Sequence, residues 1–118
     1  MTALYRLCYQ ALIAAALAAP MCASASVPTL SDCFEGSDFI ANAALSRDNG
    51  MTRDAFINRL TGDFAAIRAF PSELRWFVRD EDDERFLEAA AEQVFDTPAT
   101  PADHRSAFLQ ACFERLTI

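Results

Sequence analysis

Apolar and polar positions recur along most of this chain with a period of three to four residues, the spacing of an amphipathic helix. From Ser31 onward, Cys33, Ser37, Ile40, Ala41, Ala44 and Leu45 fall on one narrow face of small residues. Ser31 reads as the N-cap of this first helix, and Asp32 and Glu35 suit the positive end of its dipole. Gly50 marks its end, as the residue that takes a left-handed cap without strain. Thr52 caps a second helix with the core stripe Phe56, Ile57, Leu60, Phe64 and Ile67, closed at Phe70-Pro71. A third region runs from Ser72 through Leu74, Trp76, Phe77 and Val78, past an acidic run, to Phe86, Leu87, Ala90, Val94 and Phe95. It reads either as one bent helix or as two pieces, with Asp80 or Asp82 as the cap of the later part. Thr100-Pro101 followed by Asp103 is the clearest start signal in the chain. The helix it opens runs to about Leu116, with Ala102, Arg105, Phe108, Leu109, Cys112 and Leu116 on one side. No segment alternates with a period of two, so the pattern predicts an all-α fold.

The first 25 residues follow a different logic. Arg6 precedes an apolar stretch from Leu7 to Ala19, Pro20 interrupts it, and Ala23-Ser24-Ala25 offers small residues where a signal peptidase reads. This is the layout of a secretory signal peptide. The apolar stretch is shorter than the roughly 20 residues a membrane-spanning helix needs. Cleavage is expected between Ala25 and Ser26, leaving one helical domain from Ser26 to Ile118, located in the periplasm or outside the cell. Nothing in that domain is apolar over a long enough stretch to hold it in a membrane.

Export changes the cysteine arithmetic. Cys8 and Cys22 leave with the signal, and Cys33 and Cys112 remain. In an oxidising compartment two cysteines in a small domain are normally paired. An even number of antiparallel helices places both chain ends at the same end of a bundle, so Cys33 in the first helix and Cys112 in the last come within reach. The fold expected is a four-helix up-down bundle closed by one disulfide between its first and last helices.

Composition narrows the function. Seventeen acids face ten basic residues, all of them arginine, for a net charge of −7. That balance excludes a nucleic-acid binder, which needs a basic face. It favours a basic protein as partner. With no lysine, one histidine and no glycine-rich loop, the chain carries little that could serve an enzyme. Asp80, Asp82 and Glu84 occupy the first, third and fifth positions of a calcium loop, but Arg85 and Ala91 stand where the template needs Gly and Glu. The acidic run therefore reads as a solvated helix N-terminus. His104 has no second histidine to share a zinc ion and reads as a surface or half-buried residue. Ser106 and His104 are two apart on one helix and point to different sides, so they do not form a triad. No metal or other cofactor is expected. Arg75, Trp76 and Arg79 are the candidate partner contact, since Trp and Arg are enriched at interface hot spots. The alternative is that Trp76 and Phe77 close one end of the core.

Cys33, Ala43, Arg47-Asp48-Asn49-Gly50-Met51, Val94-Phe95, Pro98, Phe108 and Cys112 together resemble a group of small secreted proteins from proteobacteria and phages. That group has a signal peptide, two cysteines towards the chain ends and an R-x-x-G turn. The resemblance spans most of the mature chain and implies no catalytic residues; Phe95 departs from it, standing where the group tends to carry Tyr. The function expected is a non-enzymatic binding or structural module, such as an inhibitor or immunity-type protein. The alternative is an acid-stress periplasmic chaperone, or holdase, by analogy with other small, helical, disulfide-closed periplasmic proteins.

Overall fold

The computed structural model describes residues 27–116. The expected signal segment and its Ala25–Ser26 junction lie outside the described residues. Four α-helices follow one another: α1, Leu30–Asp48; α2, Arg53–Ile67; α3, Glu81–Asp96; and α4, Pro101–Leu116. A single 3-10 turn, Ser72–Leu74, lies between α2 and α3, and there is no strand among the described residues.

Each boundary has a local cause. α1 starts earlier than its Ser31 cap predicts. Thr29 is the N-cap: its hydroxyl accepts the Asp32 N–H at 3.1 Å, and the Asp32 carboxylate accepts the Thr29 N–H at 2.9 Å. This reciprocal box satisfies two orphan donors at once, which a lone Ser31 cap does not. α1 closes as expected. Gly50 takes φ 101°, its N–H reaches Arg47 O, and the Met51 N–H reaches Ser46 O, the paired bonds of a Schellman cap. Thr52 caps α2 through the Ala55 N–H. That helix ends at Ile67, three residues short of Phe70, because the chain tightens into a turn at Arg68–Phe70 before Pro71. Asp80 caps α3 through the Asp83 N–H, and Thr100 caps α4 through the Asp103 N–H.

The region from Ser72 to Phe95 is two pieces, not one bent helix. Between them, Trp76 is half-buried and the adjacent Phe77 and Val78 are both buried. Adjacent residues on a helix point about 100° apart, so two successive buried side chains are better served by irregular backbone that threads across the end of the core.

The ion pairs and contacts set the helix directions. Cys33 is bonded to Cys112 with a Cα–Cα distance of 5.6 Å, and Arg47 near the other end of α1 reaches Ala99 just before α4. α1 and α4 are therefore antiparallel, and they form the tightest helix pair. Arg79 binds Asp32 at the start of α1, and Arg47 binds Val94 O near the end of α3, so α1 and α3 run parallel. Arg53–Asp96 and Arg68–Glu84 clamp α2 antiparallel to α3 at both ends. The result is an up-down four-helix bundle with its first and last helices joined by the disulfide.

The core is built from Ile40, Phe77, Val78, Leu87, Val94 and Phe108, closed on one side by the cystine. The buried face of α1 is turned slightly from the one expected. Gly36 and Ala43 join it, and Leu45 is 49% exposed. On α4, Ala102 is exposed and His104 is buried instead.

Candidate functional site

The acidic run at the start of α3 is only partly the solvated cap that its composition suggests. Asp83 is 1% exposed and Glu84 is buried with it. Asp83 Oδ2 accepts the Arg79 N–H at 3.0 Å, and its Oδ1 accepts from Arg115 Nη2 at 3.0 Å. Arg115 also lies over the Phe86 ring, 4.4 Å from its centroid. The Arg79 guanidinium makes a two-pronged bond to Asp32, at 2.6 and 3.2 Å. Asp32, Arg79, Asp83 and Arg115 thus form one chain of charges joining α1, the segment before α3, α3 and α4. It lies beside the cystine, since Asp32 precedes Cys33 and Arg115 lies three residues after Cys112.

The two carboxylates respond to this setting in opposite ways. Burial pushes Asp32 up, but the bonds from Arg79 and from both groups of Thr29 outweigh it, and the carboxyl ends below its ordinary value. Burial pushes Asp83 up as well. There the Arg79 N–H and Arg115 oppose it without overcoming it, and Asp80 adds a like charge, so its carboxyl ends above the ordinary value. Sequence reasoning misses this cluster because its partners lie 32 and 47 residues apart. The available signal was an acid run one helical turn long, too long for capping alone.

At the opposite end of the bundle, Arg47 acts as a tie. Its Nη1 donates to Val94 O and its Nη2 to Ala99 O, both at 2.8 Å, and it also pairs with Asp48. Buried His104 lies against this tie, with Nε2 3.1 Å from Thr97 O and 3.4 Å from Arg47 Nη1. Nε2 faces a carbonyl, which can only accept, and a guanidinium, which can only donate; the shorter contact favours the tautomer that donates from Nε2 to Thr97 O. His104 is therefore a structural pin rather than the surface or half-buried residue expected. Ser106 is exposed, on a different side of α4.

Arg75, Trp76 and Arg79 are close neighbours, yet each is engaged within the chain. Arg75 donates to the carbonyls of Phe70, Arg79 and Arg68 and so closes the α2–α3 connection. Trp76 packs between Phe39 and Phe77, with ring centroids 5.5 and 5.8 Å away. Arg79 is the central cation of the buried cluster. Among the described residues no three His, Cys, Asp or Glu side chains converge as metal ligands, and no helix is long and apolar enough to cross a membrane.

The arginines are thus largely engaged within the chain, at the surface as well as in the cluster. Besides those already named, Arg53 pairs with Asp96, Arg68 with Glu84, Arg85 with Asp82, and Arg105 with Asp38. Glu35, Asp54, Asp63, Glu73, Glu88 and Asp103 form no ion pair with any described residue, and all but the half-buried Glu88 are exposed. Among the described residues the unpaired charge is therefore more one-sided than the composition.

No protein-family model, curated protein or solved structure matches this chain.

Proposed function

We propose that this chain is an exported, non-catalytic binding module whose acidic surface docks a basic protein, in the manner of an inhibitor or immunity-type protein. One observation carries the reading. Every described arginine but Arg59 is bonded to a carbonyl or a carboxylate, while five exposed carboxylates, Glu35, Asp54, Asp63, Glu73 and Asp103, form no ion pair with a described residue. An uncompensated field of one sign speeds encounter with an oppositely charged partner and disfavours partners of like charge. The disulfide supports the export half of the proposal, because such bonds persist in oxidising compartments.

The test is capture of binding proteins from periplasmic extract on the immobilised disulfide-bonded protein, followed by calorimetry with each one purified. The expected partner is basic, and its affinity falls as salt is raised or when Glu73 and Asp103 are changed to Lys. A partner insensitive to both changes, or the absence of any partner, refutes the reading.

A second reading, the acid-stress holdase, draws support from the buried carboxylates Asp32 and Asp83 where three helices meet, and from exposed Phe34, Phe70 and Phe113. It requires the protein to suppress aggregation of an unfolded client at pH 2–3 and not at pH 7. Equal suppression at both values, or none at either, removes it.

A further inference from the structure

α1 and α2 are consecutive but do not pack along their length. α1 lies chiefly against α4 and α3, and α2 against α3. The two meet through Phe39 and Phe56, whose ring centroids are 5.9 Å apart. Beside that pair a cleft of about 290 Å³ opens, just below the range of about 300–1,000 Å³ for small-molecule sites. Ala43 and Leu60 form its buried floor, Phe39 and Phe56 are half-buried at its wall, and Asn42 and Arg59 are exposed at its mouth.

Arg59 is the exception to the pattern of bonded arginines. Among the described residues it is the one arginine with no ion pair and no hydrogen bond. In a chain with so many acids, the one described guanidinium without a bonded partner lines a cleft whose apolar part is Phe39, Ala43, Met51, Phe56 and Leu60. Asp63, one turn further along α2, also lines the cleft and lies beyond ion-pair distance of any described cation.

We propose that this cleft is a binding site for a small carboxylate carrying a single aromatic ring or short acyl chain, with the apolar part against Phe39 and Phe56, over Ala43 and Leu60, and the carboxylate on Arg59. The apolar part gains from leaving water, and a planar carboxylate matches the guanidinium fork. Asp63 opposes the ligand's charge and weakens its binding. The site adjoins the acidic surface proposed for a protein partner and shares Asp63 with it, but it rests on Arg59 rather than on a carboxylate.

The experiment is a 15N-resolved NMR titration of the disulfide-bonded protein with 3-phenylpropionate and, separately, with its neutral amide. The carboxylate is expected to give saturable shifts at the amides of Phe39, Asn42, Phe56 and Arg59. It should bind about fivefold more tightly than the amide, the factor that one solvated charge pair supplies. Arg59→Gln should abolish that ratio and Asp63→Asn should increase it. Both positions are exposed, so the rest of the spectrum should stay unchanged. Absence of saturable shifts in the cleft, saturation only elsewhere, or a ratio that survives Arg59→Gln overturns the proposal.

Discussion

Asp32 and Asp83 share one network but differ in how they depend on pH. The Asp32 carboxyl is depressed in the folded chain, so it contributes stability that is present above the unfolded value and lost as pH falls through the folded one. The Asp83 carboxyl is raised, so its contribution is present at low pH and lost as pH rises through the folded value. On acidification Asp83 takes its proton first, while Asp32 still holds Arg79. Replacing Asp32 by Asn should therefore cost about 2 kcal/mol at pH 7, the scale of hydrogen bonds to a charged group. It should also flatten the fall in stability below about pH 4. Asp83→Asn should cost less than half as much at pH 7, because its neutral form is the one that burial favours. Urea unfolding at pH 7, 4 and 2.5 measures both. If the acidic fall were unchanged in Asp32→Asn, other carboxylates would be responsible. The holdase reading would then lose its trigger.

At the scale of the helices, the α1–α4 pair depends on a missing side chain. A Cβ added at Gly36 would lie 2.6 Å from the Phe108 ring. Phe108 is 3% exposed and held by Phe77 and Phe86, with centroids 5.9 and 5.2 Å away, so it has little room to withdraw. Gly36→Ala adds helix propensity yet should destabilise by about 1–3 kcal/mol, the range for overpacking a filled core. An unchanged or higher urea midpoint would show that the ring yields. Much at this scale was legible from local signals. Gly50, Thr52 and Thr100-Pro101 act within one turn of where they stand, and the structure uses each as read. Asp80 and Asp82 both suit the cap of α3, and Asp80 is the one used. The errors arose where distant residues decide. Leu45 has helical spacing from Ala41 but lies past the edge of the face that α4 covers. Asp83 and Glu84 look like solvent-facing acids until Arg115 and Arg68 arrive from other helices. His104 looked like a surface residue because the Arg47 tie beneath it comes from α1. The cleft beside Arg59 has no signal in the sequence, because it depends on how far α1 and α2 diverge.

For the molecule as a whole, the disulfide joins the two helices that pack most closely, so it adds little to contacts that the folded chain already makes. Its effect falls on the unfolded chain. Cys33 and Cys112 are 79 positions apart, and the bond removes the loop freedom of nearly the whole domain. The chain-entropy estimate for such a loop is about 4.5 kcal/mol. Both cysteines are 0% exposed, so a reductant reaches them through opening of the bundle rather than at its surface. Two results should follow. Changing both cysteines to Ser should leave the helical circular dichroism intact at low temperature and lower stability by about 2–5 kcal/mol. Reduction of the native protein by dithiothreitol should be much slower than reduction in urea. Its rate should rise in Asp32→Asn, because that change loosens the cluster beside Cys33 and favours opening. Equal reduction rates with and without urea would mean that the bond is accessible in the folded state, and the argument would turn from a structural clasp towards a redox function. Slow reduction that speeds up with each destabilising substitution would tie the charge cluster and the cystine into one closure, with the buried ions controlling access to the bond.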